Sequence, residues 1–295
     1  MKMPNPSLFS RCACWIATAC TILTLNAEAQ GTVTAGYSSV ADVPVTSNNY
    51  TATGNSVNFT LNFAPPVGTT LKVVENTGLG FISGEFSNVS QGQVVTLTHA
   101  SRNYEFVANY YGGTGNDLEL VWKRTRLIGW GAGGKQLGFE PTTNLSINIP
   151  AVVDTPTGQL SGRTILRVAG GSAYTMVLCS DGRLLAWGEG FYGTMGNGTT
   201  TAQTLPQLVP QTGALAGKTV ATISAGDKHV LALCTDGSVL AWGWNQYGHL
   251  GDGSTTLRSS PVLINGGALA GKTVVAISAG EDHSLALCSD GTLAA

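Results

Sequence analysis

The chain has 295 residues, of which 15 are Lys or Arg and 17 are Asp or Glu, for a net charge of −2 at pH 7. That balance offers no positive field to DNA or to an anionic membrane surface. Charged residues are only 11% of the chain and glycines number 39, which excludes a helical bundle and describes a protein of turns and half-buried strands.

From the N-terminus, Lys2 and Arg11 flank the start of an apolar run, Cys12 to Leu25, and Ala27-Glu28-Ala29 has the small-x-small form of a cleavage site. Residues 1–29 therefore read as a secretory signal peptide, with the mature chain starting at Gln30 in an extracellular or cell-envelope setting, and a bacterial one. A membrane anchor is the rival reading, but this run of about 14 residues is short of the roughly 20 a spanning helix needs. After cleavage no stable membrane span is expected. A lipoprotein site at Cys20 is a second rival, disfavoured by Ala17 where a larger aliphatic residue is expected. Residues 30–56, rich in Ser, Thr and Asn, read as a leader with at most one weak strand. Residues 57–122 read as a small β-rich module: VNFTLNF, TLKVVEN, VVTLTH, YEFVANYY and DLELVW are strand-like runs punctuated by PPVG, NTGLG, SQGQ and GGTGN.

Lys123-Arg124-Thr125-Arg126 interrupts the apolar pattern and marks a boundary, after which the chain repeats itself. LCSDGRLLAWG, LCTDGSVLAWG and LCSDGTLAA place Cys179, Cys234 and Cys288 at intervals of 55 and 54 residues. The repeats are framed as 127–186, 187–241 and 242–295. Each carries a β-branched run, a second apolar run, an Asp-Gly step and a third run ending in Trp-Gly. Asp-Gly between apolar runs is a hairpin signal, because both residues accept the positive φ of a tight turn. A fourth, outer strand is expected near Gln207 to Val209 and Pro261 to Ile264, where proline suits a sheet edge.

Slots that recur should serve the scaffold. These are Trp130, Trp187 and Trp242; Asp181, Asp236 and Asp290; Tyr192 and Tyr247; His229 and His283, expected to hydrogen bond inside the blade; and the three cysteines, read as small buried thiols. A disulfide between two of the cysteines is the alternative in an oxidising compartment, and their odd number leaves one free. Slots that vary are where function is free to differ: Glu189 with Trp244, Phe191 with Gln246, Asp227 with Glu281, and Lys228 with Asp282. Trp244 and Phe191 lead as candidates for contact with a protein partner, against packing on the neighbouring sheet as the alternative.

The stretches AGDKHVLALCTDGSVLAWGWNQYGHLGDG and AGEDHSLALCSDGTL resemble the repeats of the regulator of chromosome condensation family, over residues 127–295. Tyr174 departs from the pattern, standing where His229 and His283 stand later. The resemblance implies an all-β fold: an incomplete β-propeller of about three four-stranded blades out of an expected seven, preceded by the β-rich module. Seven blades would need on the order of 385 residues, so the chain reads as the front part of a longer protein, with a self-associating short form as the alternative. FSNVSQGQVVTL and YYGGTGNDLELVW, within residues 60–122, resemble β-rich segments beside autotransporter passenger repeats.

Motifs that imitate chemistry are discounted by their surroundings. Residues 266–273, GGALAGKT, satisfy the phosphate-loop pattern, yet a β-branched run follows where a helix is required. Residues 188–193 match GxGxxG without a following helix. Residues 112–117 open like a calcium nonapeptide but occur once. No nucleophile motif, paired zinc histidines or catalytic carboxylate pair stands out, so no catalytic residue, cofactor or metal is assigned. The expected role is a secreted, non-enzymatic interaction scaffold, binding an unknown protein partner or a cell-envelope polymer and not nucleic acid. Enzyme inhibition through the loop face, which the resemblance to the propeller-type β-lactamase inhibitor implies, and action on wall polymers are the alternatives.

Overall fold

The computed structural model describes residues 31–123, 127–131, 134–138, 147–153, 158–264 and 266–295. The signal peptide read from residues 1–29 lies outside the described residues. The first strand, β1 (Thr32–Tyr37), alternates exposed Thr or Gly with buried Val33, Ala35 and Tyr37. It pairs parallel with β3 (Ser56–Leu61), while β2 (Val45–Ser47) pairs parallel with β4 (Thr70–Asn76). Residues 31–55, expected to be a leader, are thus part of the module. Parallel pairing lacks a local hairpin signal, and the small side chains of TVTAGY hide an alternation that the sheet face reveals.

The strands β5 (Val94–His99), β6 (Arg102–Gly112) and β7 (Asp117–Trp122) complete a five-stranded sheet in the order β2-β4-β7-β6-β5. Leu71, Val73, Val74, Phe106, Ala108, Leu118 and Leu120 are fully buried on it. The Tyr110 hydroxyl accepts from the Phe86 amide at 2.7 Å and donates to the Val89 carbonyl at 2.6 Å, fixing the loop that crosses the core.

The repeats follow as upright sheets. A two-stranded piece joins β8 (Ile128–Gly131) to β9 (Ile147–Val152). The next sheet runs β10 (Ile165–Gly170), β11 (Tyr174–Cys179), β12 (Leu184–Gly188) and β13 (Gln203–Leu208), each strand antiparallel to its neighbour. The third repeats it as β14 (Val220–Ala225), β15 (His229–Cys234), β16 (Val239–Gly243) and β17 (Arg258–Ile264). The fourth has β18 (Val274–Ala279), β19 (Ser284–Cys288) and β20 (Leu293–Ala294). Registers coincide: Tyr174 opposes Gly188 as His229 opposes Gly243, and the first strand of each sheet bulges at the same step. The described sheets therefore account for three propeller blades and a two-stranded part of another.

The frame of the sheets differs from the frame of the sequence repeat. Each Trp-Gly step ends a third strand, so a repeat begun at tryptophan combines the outer strand of one blade with the three inner strands of the next. The outer strands also start earlier than the apolar runs show, at Gln203 and Arg258, because pairing resumes beyond a bulge at Gly188 and Gly243.

Blades pack face to face. Met176, Leu178, Leu184, Ala186, Met195 and Val209 of the first full blade meet Val220, Val230, Ala232, Leu240 and Trp242 of the second in one apolar cluster. Each of the larger of these side chains contributes roughly 1.5–3 kcal/mol by burial. The N-terminal module leans on the end of the blades that carries the Asp-Gly turns. Arg167 donates to the Tyr111 and Gly113 carbonyls at 3.0 and 3.2 Å, Thr164 donates to the Lys123 carbonyl, and Phe81 packs with Leu233, Val274 and Cys288.

Candidate functional site

The recurring slots turn out to be ties between blades. The Trp187 indole donates to the Gln136 carbonyl at 2.8 Å, and Trp242 donates to the Thr194 carbonyl at 2.9 Å, each reaching the loop of the preceding blade. Gly138 and Gly196 lie under these rings at positive φ; a Cβ there would sit 2.7 and 2.9 Å from the indole nitrogens. Trp130 departs from the scaffold role. It is 61% exposed, because among the described residues no preceding blade presents a loop to it.

The His slot works across the seam, not inside the blade as expected. Tyr174 brings its hydroxyl within 2.9 Å of the Gly226 carbonyl and 2.6 Å of the His229 carbonyl on the next blade. His229 places Nε2 3.0 Å from Ser284 Oγ, again one blade on, while His283 is exposed. The strand turn between them brings these groups together only when two sheets stack, which a linear reading does not show.

The Asp slot anchors the hairpin turn. Asp181 pairs with Arg163, Asp236 with Lys218 at 2.7 Å, and Asp290 with Lys272, while the second carboxylate oxygen receives a backbone amide two residues on. Burial opposes ionisation of Asp236, but Lys218 and Ser238 outweigh it and bring its carboxyl down to about 2. Lys272 and Thr292 likewise hold Asp290 at about 2. The same pairs dispose of the phosphate-loop pattern, since Lys272 is its lysine and is already committed to Asp290. The segment after it is β18, not a helix whose N-terminus faces phosphate. In the nonapeptide-like turn a cation is already present, the Lys72 ammonium 3.1 Å from Asp117.

Cys179, Cys234 and Cys288 are buried free thiols. Burial raises Cys179 to about 11 and moves Cys234 in the same direction, which keeps both protonated and unreactive.

The varying slots gather at the opposite end of the blades from the N-terminal module. Tyr192 of one blade meets Trp244 of the next edge to face, with centroids 5.3 Å apart at 76°. The Lys228 ammonium lies 5.5 Å above the Tyr192 ring and 3.2 Å from Asp227. Phe191 stands 67% exposed, with Gln246, Glu281 and Asp282 also in solvent, and Tyr247 is 69% exposed. Glu189 turns aside to Lys135 at 3.5 Å. Tyr247 is thus a surface residue of this face and not scaffold, contrary to expectation, whereas the half-buried Tyr192 packs across the seam on Trp244.

Two contributors were missed in the sequence. Asn245 is fully buried, accepts from the Leu250 amide at 2.9 Å and places Nδ2 within hydrogen-bond distance of Asp252, Ser254 and Thr256, so it shapes the loop that carries Gln246 and Tyr247. An Asn in a slot held by Gly190 one repeat earlier was the available signal. His249 was the other, standing where the preceding blade has Thr194.

The Ser284–His229 pair is not arranged for acyl transfer. The Ser284 hydroxyl has a single proton and donates it to the His249 carbonyl at 2.7 Å, so His229 has nothing to abstract. Among the described residues no group of three His, Cys, Asp or Glu side chains is placed to hold a metal, and no helix is long and apolar enough to cross a membrane.

The regulator of chromosome condensation (RCC1) repeat matches residues 181–233 and 236–287, and a second form of it matches 220–248. The E3 ubiquitin-protein ligase HERC2 of Homo sapiens is 32% identical over 195 residues, 65% of this chain and 4% of HERC2. The ultraviolet-B receptor UVR8 of Arabidopsis thaliana is 34% identical over 132 residues, 45% of this chain and 29% of UVR8. This chain therefore spans less than a third of either relative. Among solved structures, Prp20p from Saccharomyces cerevisiae superposes with a TM-score of 0.48 at 17% identity, over 65% of this chain and 42% of Prp20p. Human WBSCR16 does so with a TM-score of 0.47 at 21% identity, over 70% and 60%. Residues 181–287 thus match the regulator of chromosome condensation repeat, and the antiparallel sheets that they form are similar to the blades of a β-propeller.

Proposed function

We propose that this chain is a non-enzymatic scaffold whose loop face binds a protein partner outside the cell. The observation that carries the reading is Phe191, two-thirds exposed beside the Tyr192, Trp244 and Lys228 cluster, on the end of the blades that the N-terminal module leaves open. Large aromatics with a rim of charge are what the centre of an interface uses. The neighbouring Glu281 and Asp282 supply the rim.

The test starts from chain secreted by its own host, whose N-terminus is expected at Gln30. Partners crosslinked in the medium are identified and their affinity is measured by calorimetry. Phe191→Ala is expected to weaken binding about 30-fold, the size of a hot-spot loss, and Val67→Ala, 86% exposed on the N-terminal module, is expected to leave it unchanged. Equal affinity for wild type and Phe191→Ala, or saturable binding of a wall glycan with no protein partner, would defeat the proposal.

A further inference from the structure

The seam between the β14–β17 blade and the β18–β20 blade is built from imidazoles, and the preceding seam is not. His229 is fully buried. Its Nε2 lies 3.0 Å from Ser284 Oγ, and Ser284 Oγ lies 2.7 Å from the His249 carbonyl. A carbonyl only accepts, so the serine proton goes to His249 and the serine oxygen must accept from His229 Nε2–H. This fixes the neutral tautomer with its proton on Nε2.

His229 Nδ1 is left as a bare lone pair with no hydrogen-bond partner. The backbone closes over it, since a Cβ on Gly226 would stand 2.6 Å away. His249 is 6% exposed, and its ring lies 4.7 Å from the His229 ring between centroids with the Trp244 backbone beside it. A second proton on His229 would enter at Nδ1, with no acceptor and with another imidazole against it.

Burial first, then His249 and His283, disfavour the charged form of His229, while Asp282 and Asp227 favour it; the balance brings it down to about 4. For His249, burial and Lys228 outweigh the Trp244 backbone and Asp282, and its titration is lowered too.

The preceding seam is an internal control. There Tyr174 fills the slot of His229, and Thr194 fills the slot of His249. Neither carries a titration in the acid range, burial having raised the Tyr174 phenol far above its ordinary value.

We propose that the His229–His249 seam is an acid-operated latch, held shut by two neutral imidazoles and opened by their protonation, while the Tyr174 seam stays closed. The closed seam binds fewer protons than the opened one between the ordinary histidine value of 6.5 and the lowered value of about 4. Its stability is therefore complete above pH 6.5 and is lost as pH falls toward 4. For His229 alone, opening at pH 4 is favoured on the order of 100-fold over opening at pH 7.5.

Amide hydrogen exchange on the full chain, corrected for intrinsic rates, tests this at pH 7.5, 6, 5 and 4. Residues 226–234, 245–251 and 280–288 are expected to lose about 100-fold of their protection by pH 4 while residues 171–179 keep theirs. The double variant His229→Tyr, His249→Thr copies the first seam and is expected to hold its protection at pH 4. His249→Thr alone removes one of the two titrating imidazoles and the like-charge neighbour of the other, and is expected to reduce the acid opening several-fold. Loss of both seams together, no loss down to pH 4, or acid opening unchanged in His249→Thr would overturn the proposal.

Discussion

Trp242→Ala is expected to cost about 3–5 kcal/mol in urea unfolding of the repeats, and Trp130→Ala less than about 0.5 kcal/mol. Both occupy the same slot of the repeat, so a sequence argument treats them alike. The structure separates them. The Trp242 ring is fully buried in the cluster of Met176, Leu178, Leu184, Met195 and Val209, and its N–H satisfies the Thr194 carbonyl. Truncation leaves a cavity the size of an indole at the seam and an unsatisfied buried carbonyl, two losses that add. Trp130 is largely in solvent and makes no such tie among the described residues. Equal costs for the two variants would mean that the blades are not held in the way described.

Gly243→Ala is expected to cost about 3 kcal/mol or more, from a backbone conformation worth 1–3 kcal/mol and an overpacking term of similar size. Gly243 has φ of 114°, and a Cβ there would stand 2.5 Å from the Lys228 carbonyl oxygen and 2.7 Å from His229 Cα. Neither atom is free to yield, because the Trp244 amide donates to that carbonyl at 2.9 Å and His229 pairs with Gly243 in the ladder. Gly217→Ala is the control: φ is 70°, but nothing lies within 4 Å of the added carbon, so only the backbone penalty of about 1 kcal/mol remains. Thermal unfolding of the two variants checks the difference. A Gly243→Ala chain as stable as Gly217→Ala would contradict the packing of the Trp-Gly step.

The parts of the fold that were legible in the sequence are those set by local chemistry. Asp-Gly between apolar runs predicts the hairpins, and β11–β12 and β15–β16 form around Asp181-Gly182 and Asp236-Gly237. The 55-residue spacing predicts equivalent sheets, and equivalent sheets are present. What was not legible is which slot answers which, because those partners are far apart in the chain. The acceptor of Trp187 is 51 residues earlier, and the Tyr174 and His229 ties each span 55 residues. Recurrence shows that a slot is used, but the stacking of two sheets decides whether it points into a blade, across a seam or into solvent. The same limit explains Tyr247, which recurs and yet lies on the surface. In the N-terminal module the place of β1 was not legible for a different reason: its partner β3 is parallel, and no turn advertises it.

The central claim is that successive repeats are separate sheets pinned by tryptophan from one blade into the loop of the blade before. Nuclear Overhauser spectra of chain labelled with nitrogen-15 in tryptophan test it directly. The indole N–H of Trp242 should give cross-peaks to the backbone protons of Gly196, whose Cβ position lies 2.9 Å from that nitrogen. An indole N–H that shows contacts only with protons of its own segment, residues 229–243, would contradict the account.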